Sequence, residues 1–129
     1  TISWSDPMGE VYNSSVENMR DYREPVLVND LDLRVSNSTL TYFPWKLNPL
    51  SPGSIATNNS ENNVDNVEVV WIENPTPGDY TVAVDHDGVL EGGSQAFSII
   101  ISGVTNTISL PTVSAGPPNR SRIGGRYGL

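Results

Sequence analysis

The sequence predicts an all-β protein: an antiparallel jelly-roll β-sandwich followed by an irregular C-terminal arm. Short apolar stretches with alternating polarity recur along the first 110 residues, and Pro/Gly- or Asn-rich turn signals separate them. No stretch has the apolar spacing of a convincing helix. The chain has 129 residues and no cysteine, so we expect one core without disulfides or thiolate metal sites.

The central element is the stretch 27–35, which reads LVNDLDLRV. Side chains alternate between the two faces of a strand, so this stretch has two unlike faces. The apolar face comprises Leu27, Leu31, Leu33 and Val35. The other face comprises Val28, Asp30, Asp32 and Arg34. Carboxylates two positions apart in a strand lie about 6.6 Å apart and repel unless a positive charge is near. This second face is therefore either solvated or supported by a cation, with Arg34 or calcium as the source of charge.

The flanking elements follow in chain order. Residues 1–4 alternate in polarity and begin a strand, whereas 5–25 contain several turn signals and predict a long loop. A turn at Asn37-Ser38 then leads into a second strand at 40–45.

The second half predicts three more strands. Residues 46–66 form a long irregular stretch, and loops of that length are usually functional or held by specific contacts. The stretch 67–72 is apolar on both faces and is expected to be buried on both sides. A proline- and glycine-rich turn at 75–78 precedes a strand at 80–84, and the last clear strand is 97–101.

The only histidine, His86, lies in the tetrapeptide 85–88, which reads DHDG. Asp-Gly favours a hairpin turn, so we expect a turn histidine, with a metal contact and catalysis as weaker alternatives. The segment Asp85-x-Asp87-Gly88 resembles part of a calcium loop, but the later ligands are missing at the required spacing. Nucleophilic catalysis is hard to build with this single histidine.

Charge is unevenly distributed along the chain. The 15 acidic residues all lie at or before Glu91, where four basic residues leave the body at −11. Such a body repels nucleic acid and anionic lipid, so neither is expected as a partner. The segment 111–129 is rich in proline, glycine and arginine, with Arg120, Arg122 and Arg126. We therefore predict a β-domain at 1–110 and a linker or arm at 111–129.

The sequence contains no run of 18 apolar residues and no signal-peptide pattern. It is expected to be a mature segment of a longer protein without a membrane span. Sequons that would matter in a glycosylating host occur at Asn13, Asn37, Asn58 and Asn119.

A second calcium hypothesis involves the Asn-rich loop. Oxygens from Asn63, Asp65 or Asn66 could join Asp30 and Asp32 around an ion and hold the loop in place. The alternative is a polar, exposed loop without an ion.

Five blocks of the sequence resemble a known family in order and spacing. They are ISWSDP, LVNDLDLRV, NNVDNVEVVWI, PTPGDYTVAV and GGSQAFSIIISG, and they cover roughly residues 2–103. Together they are similar to the C-terminal, proprotein-convertase P-domain-like β-sandwich of secreted bacterial subtilisin-like serine proteases. The Asp, His and Ser motifs of the catalytic domain are absent.

The resemblance implies a secreted, non-catalytic module that packs on its own catalytic domain and supports its folding and stability. Domains of this family often carry calcium, which implicates Asp30 and Asp32 first, and Asp6 and Asp65 second. Ser60-Glu61 stands where the family commonly has Trp-Asp-Gly, so a family ligand could be absent there.

Two other functions fit the same sequence. The basic arm could pair with an exposed sheet edge of a neighbouring copy and form a fibre by strand addition. Alternatively, Trp4, Tyr42 or Trp45 could stack on carbohydrate, although their apolar strands favour core packing.

Overall fold

A computed structural model describes residues 1–9 and 25–104, together with the backbone of strands at 112–114 and 122–128. Its regular structure is almost entirely antiparallel strand, which confirms the predicted all-β class. The described ranges contain a single turn of 3-10 helix, Glu91–Gly93. None of the described segments forms a helix long and apolar enough to cross a membrane.

The described strands form two sheets. The strands are β1 (Ile2–Trp4), β2 (Leu31–Ser36), β3 (Thr41–Tyr42), β4 (Val67–Glu68), β5 (Asp79–His86), β6 (Phe97–Ile99), β7 (Thr112–Ser114) and β8 (Arg122–Gly128). One sheet has the order β4-β1-β6 and the other has the order β3-β2-β5-β8-β7. Every pairing is antiparallel, and the jelly-roll connectivity stays a prediction.

The core lies between β1 of the first sheet and β2 and β5 of the second. Its buried members are Ile2, Trp4, Leu31, Leu33, Val82 and Val84. Leu27 and Val35 are partly buried and pack against them, so the predicted apolar face of the central stretch is confirmed. Burying these side chains is the main favourable term that holds the sheets together. This arrangement fits a β-sandwich.

Three predicted strands are shorter than expected. The strand predicted at 40–45 is only β3, the strand predicted at 67–72 is only β4, and the strand predicted at 97–101 is only β6. Burial of 67–72 on both sides is also wrong, because Val67 is 47% exposed and Trp71 is 65% exposed. Side chains alternate between the two faces of β4, so Val67 faces solvent and Glu68, on the opposite face, is fully buried.

The turn predicted at 85–88 begins later than expected. Asp85 and His86 are buried and complete β5, so His86 is a strand residue rather than a turn residue. The chain bends at Asp87 and Gly88, where Gly88 has φ of 65°. That left-handed conformation suits glycine, which explains why Asp-Gly marks the bend.

The arm contains regular structure that the sequence did not predict. β8 pairs with β5 along six positions, from Asp79 opposite Gly128 to Val84 opposite Ile123, and β7 pairs with β8. The expectation of an irregular arm is therefore wrong at 112–114 and 122–128. The backbone of β5 offers a hydrogen-bonding edge that a glycine-rich segment can satisfy without a core of its own. The predicted boundary at residue 110 stays a prediction.

The long loop 46–66 is held by specific contacts, as its length led us to expect. Lys46 and Thr57 form an isolated antiparallel bridge with backbone N–H···O distances of 2.8 and 3.0 Å. The Lys46 Nζ atom donates to the carbonyl oxygen of Glu61 at 2.7 Å and contacts the Ser60 hydroxyl. These contacts fix the part of the loop that carries Glu61.

Candidate metal centre

An acidic cluster forms where β2 begins and β5 ends. Asp32 is the second residue of β2, Asp87 follows β5, and Glu61 comes from the long loop. One carboxylate oxygen from each residue lies within 4.8 Å of the other two. The antiparallel pairing of Leu31 with His86 places the two strand ends side by side. The Asp87 N–H donates to the Asp30 carbonyl at 3.0 Å and extends this pairing to the cluster.

Asp32 is the least hydrated member of the cluster. It is 1% exposed, and none of the described groups donates a hydrogen bond to either of its carboxylate oxygens. The nearest cation is Arg34, whose Nη2 atom lies 3.6 Å from Asp32 Oδ2. A buried carboxylate that lacks donors is costly unless a cation lies against it or a proton neutralises it. The solvated alternative for this face is therefore wrong at Asp32.

Glu61 joins the cluster through Arg34. The Arg34 Nη2 atom lies 2.6 Å from Glu61 Oε1, in an ion pair rather than a well-aligned hydrogen bond. Glu61 is half-buried, and its backbone is held by Lys46. The sequence position at which the family resemblance suggested a missing ligand therefore supplies a carboxylate to the cluster.

Asp30 lies beside the cluster and touches the Asn-rich loop. Its side chain forms a hydrogen bond with the side chain of Asn63, and its Oδ1 atom is buried without a donor among the described residues. The Asn66 Nδ2 atom donates to the Trp4 carbonyl at 2.7 Å. The hypothesis that oxygens of this loop join Asp30 and Asp32 around an ion stays a prediction.

Glu68 is a further buried acid near these residues. It is fully buried, and its Oε2 atom accepts a hydrogen bond from the Leu33 N–H at 2.5 Å. β3 pairs with β2 only at Val35 and Ser36, so Leu33 lies past the end of β3. The Glu68 carboxylate therefore provides an acceptor where strand pairing stops.

Burial and mutual repulsion raise the pKa values of three of these carboxyl groups. Burial raises the pKa of Asp32 to about 7, helped by the negative charges of Glu61, Asp30 and Asp87 and opposed by Arg34. Burial raises the pKa of Glu68 to about 8, although the hydrogen bond from the Leu33 N–H lowers this pKa. Burial also raises the pKa of Asp30 to about 6, against the hydrogen bond from Asn63. Near neutral pH, a cation bound beside these carboxyl groups would favour their ionised forms and offset their mutual repulsion.

The cluster suits a hard divalent cation such as calcium. The cluster offers carboxylate oxygens, the ligand type that hard cations such as calcium and magnesium take in proteins. Calcium–oxygen distances are about 2.3–2.6 Å, so two ligands of one ion lie up to about 5 Å apart. The three carboxylate oxygens lie within 4.8 Å of one another, so they are close enough to bind one ion. Neither carboxylate oxygen of Asp32 accepts a hydrogen bond from a described group, so both can bind an ion.

The two weaker metal candidates have other contacts. Asp6 accepts backbone N–H groups from Val28 and Asn29, each at 2.8 Å, and so caps the turn before β2. Asp65 accepts from the Asn62 Nδ2 atom at 3.1 Å. Neither carboxylate belongs to the group of three close oxygens. Their predicted role as ligands stays a prediction.

The other predicted sites are scattered. Asn58 is exposed, and Asn37 uses its Oδ1 atom to cap the turn at Thr39 and Leu40. Three sites lie outside the described residues: Asn13, Asn119 and Arg120. Two predicted arm residues, Arg122 and Arg126, lie in β8.

The three aromatic residues considered for carbohydrate stacking have different environments. Trp4 is a core residue, as the core-packing alternative predicted. Tyr42 is half-buried, and its ring centroid lies 6.4 Å from that of Tyr80. Trp45 is 43% exposed, so core packing is wrong for this residue.

Sequence reasoning missed Glu61 in the cluster and Glu68 beside it, and it connects Asp87 only with a turn and with part of a calcium loop. Glu61 and Glu68 had no local signal, since only the tertiary fold brings them to β2.

A scan against protein-family models, a search of curated proteins and a search of solved structures each found no match.

Proposed function

We propose that this chain is a non-catalytic accessory domain of a secreted subtilisin-like serine protease and that calcium stabilises it. The five sequence blocks similar to that family support the first part. The cluster of Asp32, Glu61 and Asp87 supports the second part. The single observation that carries calcium binding is Asp32, a buried carboxylate that no described group hydrogen-bonds.

In this proposal calcium acts as a clip between three segments. Asp32 belongs to β2, Asp87 to the bend after β5, and Glu61 to the long loop. An ion bound to all three ties the loop to the second sheet and neutralises acids that otherwise repel one another. A domain stabilised in this way keeps a rigid surface for the catalytic domain, and alone it hydrolyses no peptide.

The test is thermal unfolding of the full chain with calcium and in metal-free buffer, near pH 7.5. Binding to the folded state raises the unfolding midpoint as the ratio of calcium to Kd increases. We expect calcium to raise the midpoint of the wild-type chain and to leave Asp32→Asn almost unchanged. The matched control is Glu73→Gln, which removes an exposed acid outside the cluster and should keep the full calcium response.

An unchanged wild-type midpoint at millimolar calcium would refute the calcium part of the proposal. An equal response of wild type and Asp32→Asn would place the ion elsewhere. Hydrolysis of a peptide by the purified chain would refute the assignment as a non-catalytic domain.

Self-assembly by strand addition is a second candidate, and the pairing of β8 with β5 favours it. The same backbone pairing made with the β5 strand of another copy would exchange arms between molecules. Light scattering over a concentration series separates the two functions. A mass near 14.0 kDa at all concentrations supports the accessory domain, whereas growing particles support assembly.

A further inference from the structure

Arg34 occupies a special position among the acids of the cluster. Its Nη2 atom lies 2.6 Å from Glu61 Oε1 and 3.6 Å from Asp32 Oδ2, so one nitrogen contacts two of the three carboxylates. The Asp32 side chain has no exposed surface, whereas the Arg34 side chain is 20% exposed. The guanidinium is thus the resident positive charge of this cluster and also has a route toward solvent.

A divalent ion and this guanidinium compete for the same oxygens. An ion bound to Asp32 and Glu61 would lie close to Arg34 Nη2, where two positive charges repel strongly in a partly buried site. Arginine has a long side chain that can move its head group into water while its stem stays packed. The half-buried Glu61 is the carboxylate that would exchange one cation for the other.

We propose that Arg34 is an internal counter-cation that calcium must displace from Glu61, so that this residue sets the affinity and selectivity of the site. This inference rests on the proposed calcium site. Without divalent ion, Arg34 holds Glu61 against β2 and limits repulsion around Asp32. When calcium binds, Glu61 transfers to the ion and Arg34 moves toward solvent. The site therefore responds only to an ion with enough charge to replace the arginine.

Lys46 offers a matched contrast to Arg34, because it is a second cation that contacts Glu61 and it lies on the same loop as Glu61. Its Nζ atom donates to the Glu61 carbonyl oxygen at 2.7 Å rather than contacting the carboxylate. Lys46 therefore anchors the loop without competing for the ligand oxygens. Removing it should loosen Glu61, whereas removing the Arg34 charge should free Glu61 for the ion.

The test is calorimetric titration of calcium into the full chain for wild type and three variants. We expect Arg34→Gln to tighten calcium binding by about tenfold or more, because a repulsive charge is removed. Arg34→Lys keeps the charge and should bind closer to wild type than to Arg34→Gln. Lys46→Gln should bind no more tightly than wild type.

The outcomes separate this inference from the proposed function. If wild type binds calcium and Arg34→Gln binds equally or more weakly, the inference is overturned and the calcium site stands. If Arg34→Gln binds and wild type does not, the counter-cation role stands and the proposed calcium function fails. If neither binds, both fail.

A second measurement covers the case in which Arg34→Gln does not fold. The Nε–H signal of Arg34 in the wild-type NMR spectrum, assigned with Arg34→Lys, should shift as calcium is added. It should move toward the position of a solvated arginine. An Arg34 signal that stays fixed while calcium saturates the chain would overturn the inference.

Discussion

At the scale of single residues, the described structure concentrates buried acids beside β2. Asp32 and Glu68 are almost completely buried, and burial raises the pKa of each well above its ordinary value. Glu68 accepts a hydrogen bond from the Leu33 N–H, whereas Asp32 has no hydrogen-bond donor among the described residues and contacts only the Arg34 guanidinium, at 3.6 Å. Two acids with similar burial therefore have different tasks, one as a backbone acceptor and one as a candidate ligand.

Substitution of Glu68 should separate its charge from its hydrogen bond. Glu68→Gln keeps an acceptor for Leu33 N–H and removes the buried charge, so we expect higher stability than wild type in metal-free buffer near pH 8. Glu68→Ala leaves a buried N–H without a partner and should cost roughly 1–3 kcal/mol. Urea unfolding measures both effects. Lower stability of Glu68→Gln than wild type near pH 8 would contradict this role.

The stability of the metal-free chain should fall as pH rises. The pKa values of Asp30, Asp32 and Glu68 in the folded chain are raised from 3.8, 3.8 and 4.5 to about 6, 7 and 8. Their stabilising contribution is complete below their unfolded pKa values and is lost as pH rises through the folded values. The unfolding midpoint in metal-free buffer should therefore be higher near pH 5 than near pH 8. A midpoint that rises over this interval would contradict the assignment.

At the scale of elements, Asn29 joins segments that lie far apart in the sequence. It is 1% exposed, and its Nδ2 atom donates to the Gln95 side chain at 2.8 Å and to the Glu91 carbonyl at 3.3 Å. Its Oδ1 atom accepts from the Glu91 N–H at 2.7 Å, and its carbonyl accepts from the Trp4 indole at 3.0 Å. The start of β2 is thus fixed to β1 and to the 3-10 turn.

Asn29→Ala should therefore be strongly destabilising. It removes the side-chain hydrogen bonds from a buried position to Glu91 and Gln95, which should cost roughly 2–3 kcal/mol. Asn58→Ala at an exposed loop position is the control and should change stability by less than about 0.5 kcal/mol. Chemical denaturation compares the two. Equal stability of both variants would show that these contacts do not hold the elements together.

Strand alternation predicted much of the second sheet but only part of the cluster. It placed Leu31 and Leu33 in the core and put Asp32 and Arg34 together on the opposite face. It could not place Glu61, because loop 46–66 meets β2 through the tertiary contact between Glu61 and Arg34. Nor could it decide which face of 67–72 is buried, since both faces carry apolar residues and Glu68 interrupts one of them.

At the scale of the whole molecule, the arm adds backbone pairing to the second sheet. β8 lies between β5 and β7, so removing it would expose the edge of β5. The composition of 111–129 predicted that this segment has no core of its own. It did not predict strand pairing, because the hydrogen-bonding edge that β8 uses belongs to another part of the chain.

Truncation after Leu110 should lower the unfolding midpoint, because the β5 edge loses its hydrogen-bonded partner. The free edge also becomes a template for association, so a chain that is monomeric at full length should associate more readily after truncation. Thermal unfolding combined with light scattering measures both effects. An unchanged midpoint would show that β8 contributes no stability. Large particles of the full chain that become monomers after truncation would favour strand addition between copies.

The most direct test of the central claim is a crystal structure of the chain grown with calcium, with anomalous differences measured. We predict one strong peak in contact with carboxylate oxygens of Asp32, Glu61 and Asp87, at about 2.3–2.6 Å from each. The same peak should be missing in crystals of Asp32→Asn. A wild-type map without a peak at these three residues, at a calcium concentration that saturates any binding in solution, would contradict the account.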